Sequence, residues 1–297
     1  MFKNLNRSPL GVNGHQSEII ELALTYGFRG FDLDILDFAN RVKRRGLDYA
    51  CRLIRSAKIR AGTFTLPMDW DTEDDVFNAD LAKLPEYAQA AAAVGCTRCV
   101  ATIPSAGDKR PYHENFEFHR RRFAEICAAL APAGVTFGVG FRAASNLRKS
   151  QAFQFIHDLD ATMLLLNMAE ADNIGLLLDV WDLTVSGGSI DNVGSLPVEQ
   201  IVAVRVADLP EDVPAADATE ESRVLPGGEN GSIDVAAYVK LLHERGYDGP
   251  VTPVPHRGIF GKARRDAVVK KAGEAMDAVW RGAGLTVDHR AHAPANS

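Results

Sequence analysis

NIGLLLDVWD, residues Asn173–Asp182, is the stretch that decides the architecture. From Ile174 to Leu178 it carries no polar side chain. A strand wetted on one face alternates apolar with polar residues. A run that is apolar throughout fits a strand covered on both faces, as in a parallel sheet wrapped by helices. This one ends on a carboxylate, Asp179, which then needs a cation or hydrogen-bond donors. IVAVRVAD, residues 201–208, repeats the pattern with Arg205 inside the run. An arginine within a buried strand is costly unless paired, so Arg205 is expected to pair with Asp179 or Asp208.

Working outward, apolar runs recur at 9–12 (PLGV), 30–35 (GFDLDI), 59–64 (IRAGTF), 99–103 (CVATI), 135–141 (VTFGVGF) and 249–254 (GPVTPV), which completes a set of eight strands. Amphipathic segments alternate with them. SEIIELALTYGF opens on Ser17, a good N-cap type, puts Ile19, Leu22, Ala23 and Tyr26 on one face, and stops at Gly27. LAKLPEYAQAAAAVG and ENFEFHRRRFAEICAALAPAG also end on glycine just before a strand. SIDVAAYVKLLHERGYDG is expected to be capped by Ser232 and to stop at Gly246. Strand–helix alternation argues for a parallel α/β sheet. Eight such units in 297 residues predict a (β/α)8 TIM barrel, one domain over residues 1–285 with a flexible polar tail at 286–297. A doubly wound open sheet would show a glycine-rich phosphate turn after an early strand. No GxGxxG or Walker A motif is present, and PGGENG (226–231) follows a loop rather than a strand.

Composition narrows the function classes. A net charge of −6 argues against a nucleic-acid partner, which would want a basic face. No apolar run approaches the roughly 20 residues of a membrane span. MFKNLNRSPLGVNG lacks the apolar core of a signal peptide, so the expected location is cytoplasmic. Cys51, Cys96, Cys99 and Cys127 are too few for a disulfide scaffold. Cys96 and Cys99 are read with a strand, where residues three apart face opposite sides and would not share a ligand. HRRRF (119–123) reads as a solvated helix face.

In a barrel of this kind the chemistry collects at the C-terminal strand ends. The first strand and its loop deliver His15, the second Asp32 and Asp34, the third Thr65 and Asp69, and the fifth Gly140 and Arg142. The sixth delivers Asp179, Trp181 and Asp182, the seventh Arg205 and Asp208, and the eighth Val254 and His256. Arg223 and Glu229 lie in the loop after the seventh.

NIGLLLDVWDLTVSGGS, VRVADLP and RVLPGGENGSIDVAAYVKLLHERGYDGPVTPV together resemble the xylose isomerase-like TIM-barrel family, whose members are described as sugar phosphate isomerases/epimerases. The likeness covers roughly residues 8 to 260 and is strongest from Asn173 on. It implies a divalent metal (Mn, Mg, Co or Zn) held by a Glu ending strand five, an Asp ending strand six, a His in strand seven and a Glu ending strand eight. It further implies that the two glutamates move protons while the metal polarises the sugar.

This chain departs from that pattern. The first Glu position holds Gly140, the His position Arg205 and the last Glu position Val254; Asp179 is kept, and Asp182 stands where a further His is usual. Arg223 and its LPGG turn are kept, an arginine that the family often uses near substrate. Hard cations want several ligands, so no metal or other cofactor is expected. Arg205 is expected to stand in the metal's place and to pair with Asp179. The foremost reading is a divergent member that binds a sugar or sugar acid through Arg142, Trp181, Arg205, Asp208, Arg223 and His256, with Asp179, Asp182 and His15 as catalytic candidates. A second is an active isomerase with a metal site rebuilt on Asp179, Asp182, Asp208 and His256, with His15 as acid/base. A third is a non-catalytic partner or scaffold. Family members are frequently dimers or tetramers, so a homo-oligomer is compatible with each.

Overall fold

Eight parallel strands close on one another, with the third in two pieces. The computed structural model describes residues 1–287; of the expected tail at 286–297, residues 288–297 lie outside the described residues. The strands are β1 (Phe2–Leu5), β2 (Gly30–Phe31), β3 (Arg60–Ala61 and Phe64–Thr65), β4 (Arg98–Thr102), β5 (Thr136–Gly140), β6 (Ile174–Asp179), β7 (Ile201–Val206) and β8 (Pro250–Pro253). Hydrogen bonding runs from the first piece of β3 through β2, β1, β8, β7, β6, β5 and β4 to the second piece of β3. Both ends of the sheet are therefore the same stretch of chain, which closes the barrel. Gly62 lies between the two pieces, where a Cβ would stand 2.2 Å from Asn4 Oδ1.

Helices wrap the outside: α1 (Gln16–Thr25), α2 (Ile35–Arg45), α3 (Leu47–Ala57), α4 (Asp74–Leu81), α5 (Leu84–Ala92), α6 (Tyr112–Leu130), α7 (Leu159–Met168), α8 (Val180–Val185), α9 (Ile190–Ser195), α10 (Val235–Glu244) and α11 (Arg265–Gly282). Among the described residues no helix is long and apolar enough to cross a membrane.

Four local expectations are corrected. The first strand is Phe2–Leu5, and PLGV forms the turn region after it. Two polar residues disguised that strand. Lys3 pairs with Asp277 of α11, both buried, and the fully buried Asn4 donates to Asp32 and Thr252. Helix α1 starts at Gln16 rather than at a Ser17 cap, and Glu18 accepts from the backbone N–H of the capping His15 at 2.8 Å. Helix α10 is capped by Asp234, which accepts from Ala237 N at 3.0 Å, while Ser232 Oγ donates to Leu209 O. HRRRF is a solvated face only at Arg120 and Arg121. Arg122 is 3% exposed, pairs with Asp74 and stacks 3.6 Å from the Phe77 ring. His119 is equally buried among Trp70, Phe123 and Phe155. The four cysteines are buried free thiols, and burial pushes Cys96 up to about 12.

Burial drives the His119 imidazole down from 6.5 to about 4, against a hydrogen bond to Asn115 O. Above pH 6.5 it is neutral in the folded and unfolded chain alike. As pH falls towards 4 the unfolded chain takes up a proton that the folded one refuses, so stability drains away across that window. The loss should reach roughly 3 kcal/mol. Denaturant unfolding between pH 7 and 4 should show a flatter pH dependence for His119→Phe than for the native chain.

Candidate functional site at the barrel mouth

The strand ends open into a cavity of about 620 Å³. Asp32, Thr65, Thr102, Gly140, Asp179, Arg205 and Val254 reach it from β2 to β8, and Asn6 and Arg7 reach it from the end of β1. Alternation along each strand sends these side chains inward while their neighbours face the helices. Arg142, Asp182, Glu220, Arg223 and His256 complete the polar wall.

One arginine organises three carboxylates. Asp208 and Val224 exchange backbone hydrogen bonds of 3.0 Å, which folds the loop after β7 back over the mouth and presents Arg223. Arg223 Nη1 donates to both oxygens of Asp179, at 3.1 and 3.0 Å. Its Nη2 donates to Asp182 Oδ2, and its Nε donates to Glu220 Oε2 at 3.1 Å. The guanidinium lies 4.2 Å from the Trp181 ring, a cation–π contact. Asp179 also caps α8, accepting from the backbone N–H groups of Trp181 and Asp182. Asp182 Oδ1 accepts from Ala143 N at 2.8 Å. Burial pushes Asp182 up to about 7; Arg223 opposes this and Asp179 adds to it. Burial opposes the charge of Arg223, but its three carboxylates outweigh that and raise it above its ordinary value.

The expected Arg205–Asp179 pair is not formed. The two residues are register partners on adjacent strands, yet Asp179 is already filled by Arg223 and by the start of α8. Arg205 Nη1 donates instead to Thr102 Oγ1 at 3.4 Å, on the far side of β5. At the level of Thr102, β5 presents Gly140. A Cβ at Gly140 would stand 2.9 Å from Leu177 O, so the backbone of β6 itself excludes a side chain there. Among the described residues no carboxylate lies within the 4.0 Å ion-pair distance of Arg205. Burial lowers Arg205 from its ordinary value, and Asp179 and Asp32 oppose that.

His256 lies on the rim, where its Nδ1 accepts from Gly258 N at 3.2 Å. That bond leaves the neutral ring's proton on Nε2. Arg142, half exposed, stands 3.9 Å from Glu220. Trp181 is fully buried beneath Arg223 and does not line the cavity. Asp208 is buried away from it, accepting from Leu209 N and Ile233 N. His15 lies in a neighbouring cavity of about 210 Å³. Arg7, Arg257, Glu220 and Thr102 also line the cavity, beyond the residues that the sequence pattern singles out, and Asp32 joins them from the end of β2. For Asp32 a signal existed, because in FDLD it alternates with apolar Phe31 and Leu33.

The residues at the mouth do not fit a divalent metal of the kind expected from the family pattern. Gly140 and Val254 bring no donor atoms, and both oxygens of Asp179 are taken by Arg223. Arg205 adds a fixed positive charge. A dication about 5 Å from it would meet roughly 7 kcal/mol of repulsion at an effective dielectric near 20. No set of three or more His, Cys, Asp or Glu groups able to hold an ion occurs among the described residues.

The family model described as "Xylose isomerase-like TIM barrel" matches residues 20–278. The chain belongs to that family. A relative named inosose isomerase, from Bacillus velezensis, is 24% identical over 187 residues, which span 61% of this xylose isomerase-like chain and 61% of the relative. A xylose isomerase domain protein from Alicyclobacillus acidocaldarius has a similar structure (TM-score 0.85, 21% identity, 95% of this chain and 99% of that one). So has the IOLI protein with a bound zinc atom (TM-score 0.76, 19% identity, 95% and 99%). At these identities the structures speak for the fold.

Removing the cation of the cluster leaves buried carboxylates unpaired. Arg223→Leu should cost about 3–5 kcal/mol in denaturant unfolding, with Arg223→Lys, which keeps charge but loses the fork, falling between.

Proposed function

We propose that this xylose isomerase-like barrel binds a small polyhydroxylated ketone without a metal, the guanidinium of Arg205 taking the ligand oxygen that a cation would otherwise polarise. The observation that carries this reading is the state of Arg205. It lines the cavity with one long hydrogen bond and, among the described residues, no carboxylate at pairing distance, while Arg223 satisfies the neighbouring acids. A guanidinium keeps its charge and offers five N–H donors in a plane, so its remaining donors can grip a carbonyl and an adjacent hydroxyl together.

The ligand class comes from the site and from the relatives. The cavity is of small-molecule size. Its wall offers donors (Arg142, Arg205, His256), an acceptor (Glu220) and hydroxyls (Thr65, Thr102), as a polyol would need. The curated relatives matched by this chain carry the name inosose isomerase, and inosose is a cyclic polyol ketone. The same donors would accept the carboxylate of a sugar acid, which makes sugar acids the natural competitor series.

Calorimetric titration with inosose in the presence of EDTA tests the reading. Binding is expected to survive the chelator and to weaken about 10- to 100-fold in Arg205→Gln, the loss of a charge-assisted hydrogen bond. Binding that vanishes with EDTA and returns with a divalent ion would contradict it.

A further inference from the structure

We infer that Asp32 is the catalytic acid/base of this barrel, moving a proton to and from the ligand carbon beside the carbonyl that Arg205 holds. The inference rests on the ligand reading above and adds a reaction to it. Five carboxylates line the cavity: Asp32, Asp34, Asp179, Asp182 and Glu220. Asp34 pairs with Arg7 at 2.5 Å, and the last three share Arg223. Among the described residues Asp32 is the one lining carboxylate with no cation within 4.0 Å. The unpaired carboxylate of β2 and the unpaired guanidinium of β7 thus face the same space, and each is felt by the other.

Asp32 is also held in position. Its Oδ1 accepts from Asn4 Nδ2 at 2.7 Å and from Thr63 N at 3.2 Å. Asn4 is wholly buried and anchored in turn on Thr252 Oγ1 at 2.9 Å. Glycines make room for that anchor, since a Cβ at Gly30 or Gly62 would fall 2.8 or 2.2 Å from Asn4 Oδ1. A carboxylate fixed by neutral donors stays available for proton transfer, whereas one locked to a guanidinium does not. Burial, opposed by Asn4, Thr63 and Arg205, raises Asp32 above the ordinary carboxylate range, the direction that strengthens a base working near neutral pH.

The step balances within the ligand. Asp32 takes the proton from the carbinol carbon next to the carbonyl. The C–H electron pair becomes the C=C bond of an enediolate, and the carbonyl π pair moves onto oxygen, where Arg205 receives the charge. Returning the proton to the same carbon regenerates the ketone. Returning it to the former carbonyl carbon, once the hydroxyl proton has passed to the former carbonyl oxygen, shifts the ketone by one position. No oxidant or co-reactant is consumed.

The test is proton-NMR of inosose in D₂O with EDTA, following loss of the signal from the carbon beside the carbonyl, alongside calorimetric binding. The native chain should wash that proton out. Asp32→Asn should bind within about threefold of native and exchange at least about 100-fold more slowly. Should that variant not fold, Asp32→Glu, which keeps the charge and moves it, should exchange more than about tenfold more slowly with binding kept. Exchange at the native rate in a folded variant overturns the role of Asp32 and leaves the ligand reading intact. Native binding without exchange does the same. Neither binding nor exchange by the native chain overturns both.

Discussion

The site depends on the three-way fork of Arg223. A single planar guanidinium holds Asp179, Asp182 and Glu220 at once, while stacking on Trp181. Arg223 is only 6% exposed and Asp182 2%, so the arrangement can exist only as a complete set; a missing partner would strand a charge in low dielectric. The fork also settles what its neighbours may do. With Asp179 filled, Arg205 on the next strand is released from the pairing that strand register alone would suggest, and its side chain is left to cross the mouth.

Gly140 is the counterpart of that release. Leu177 O lies where its Cβ would go, so β5 contributes space where a carboxylate would otherwise stand, and Arg205 reaches Thr102 past it. Gly140, Arg205 and Asp179 therefore set the charge and volume of this side of the mouth together. The barrel mouth carries a cation that is covalently part of the chain, Arg205. It faces Asp32, which Asn4 steadies from below. Val254 adds an apolar wall at the end of β8.

Much of the fold was legible because buried parallel strands leave a plain mark. β5 to β8 fall within the apolar runs read from the sequence, and β4 starts one residue before its run, at Arg98, as expected for strands screened on both faces. β1 escaped because Lys3 and Asn4 break its apolar pattern, and each has a partner remote in sequence, Asp277 and Thr252. Pattern reading sees only local periodicity, so polar residues satisfied at long range look like loop. The same limit applies at the site. The resemblance to the family was enough to single out Gly140, Arg205 and Val254 as strand-end positions. It was not enough to choose between Arg205 and Arg223 as partner of Asp179, because that depends on how the loop after β7 folds back through the Asp208–Val224 bridge. Asp32 went unranked because what sets it apart is that, among the described residues, no cation lies within ion-pair distance of it, and spacing carries no trace of that.

The central claim is that a guanidinium does the work of a metal at this barrel mouth. It is tested most directly by the melting temperature of chelator-stripped protein titrated with Mn²⁺, Mg²⁺, Co²⁺ and Zn²⁺. A ligand bound only by the native state raises that temperature with concentration. The account predicts no saturable rise with any of the four. A saturable rise would contradict it, because a dication would then be held beside Arg205.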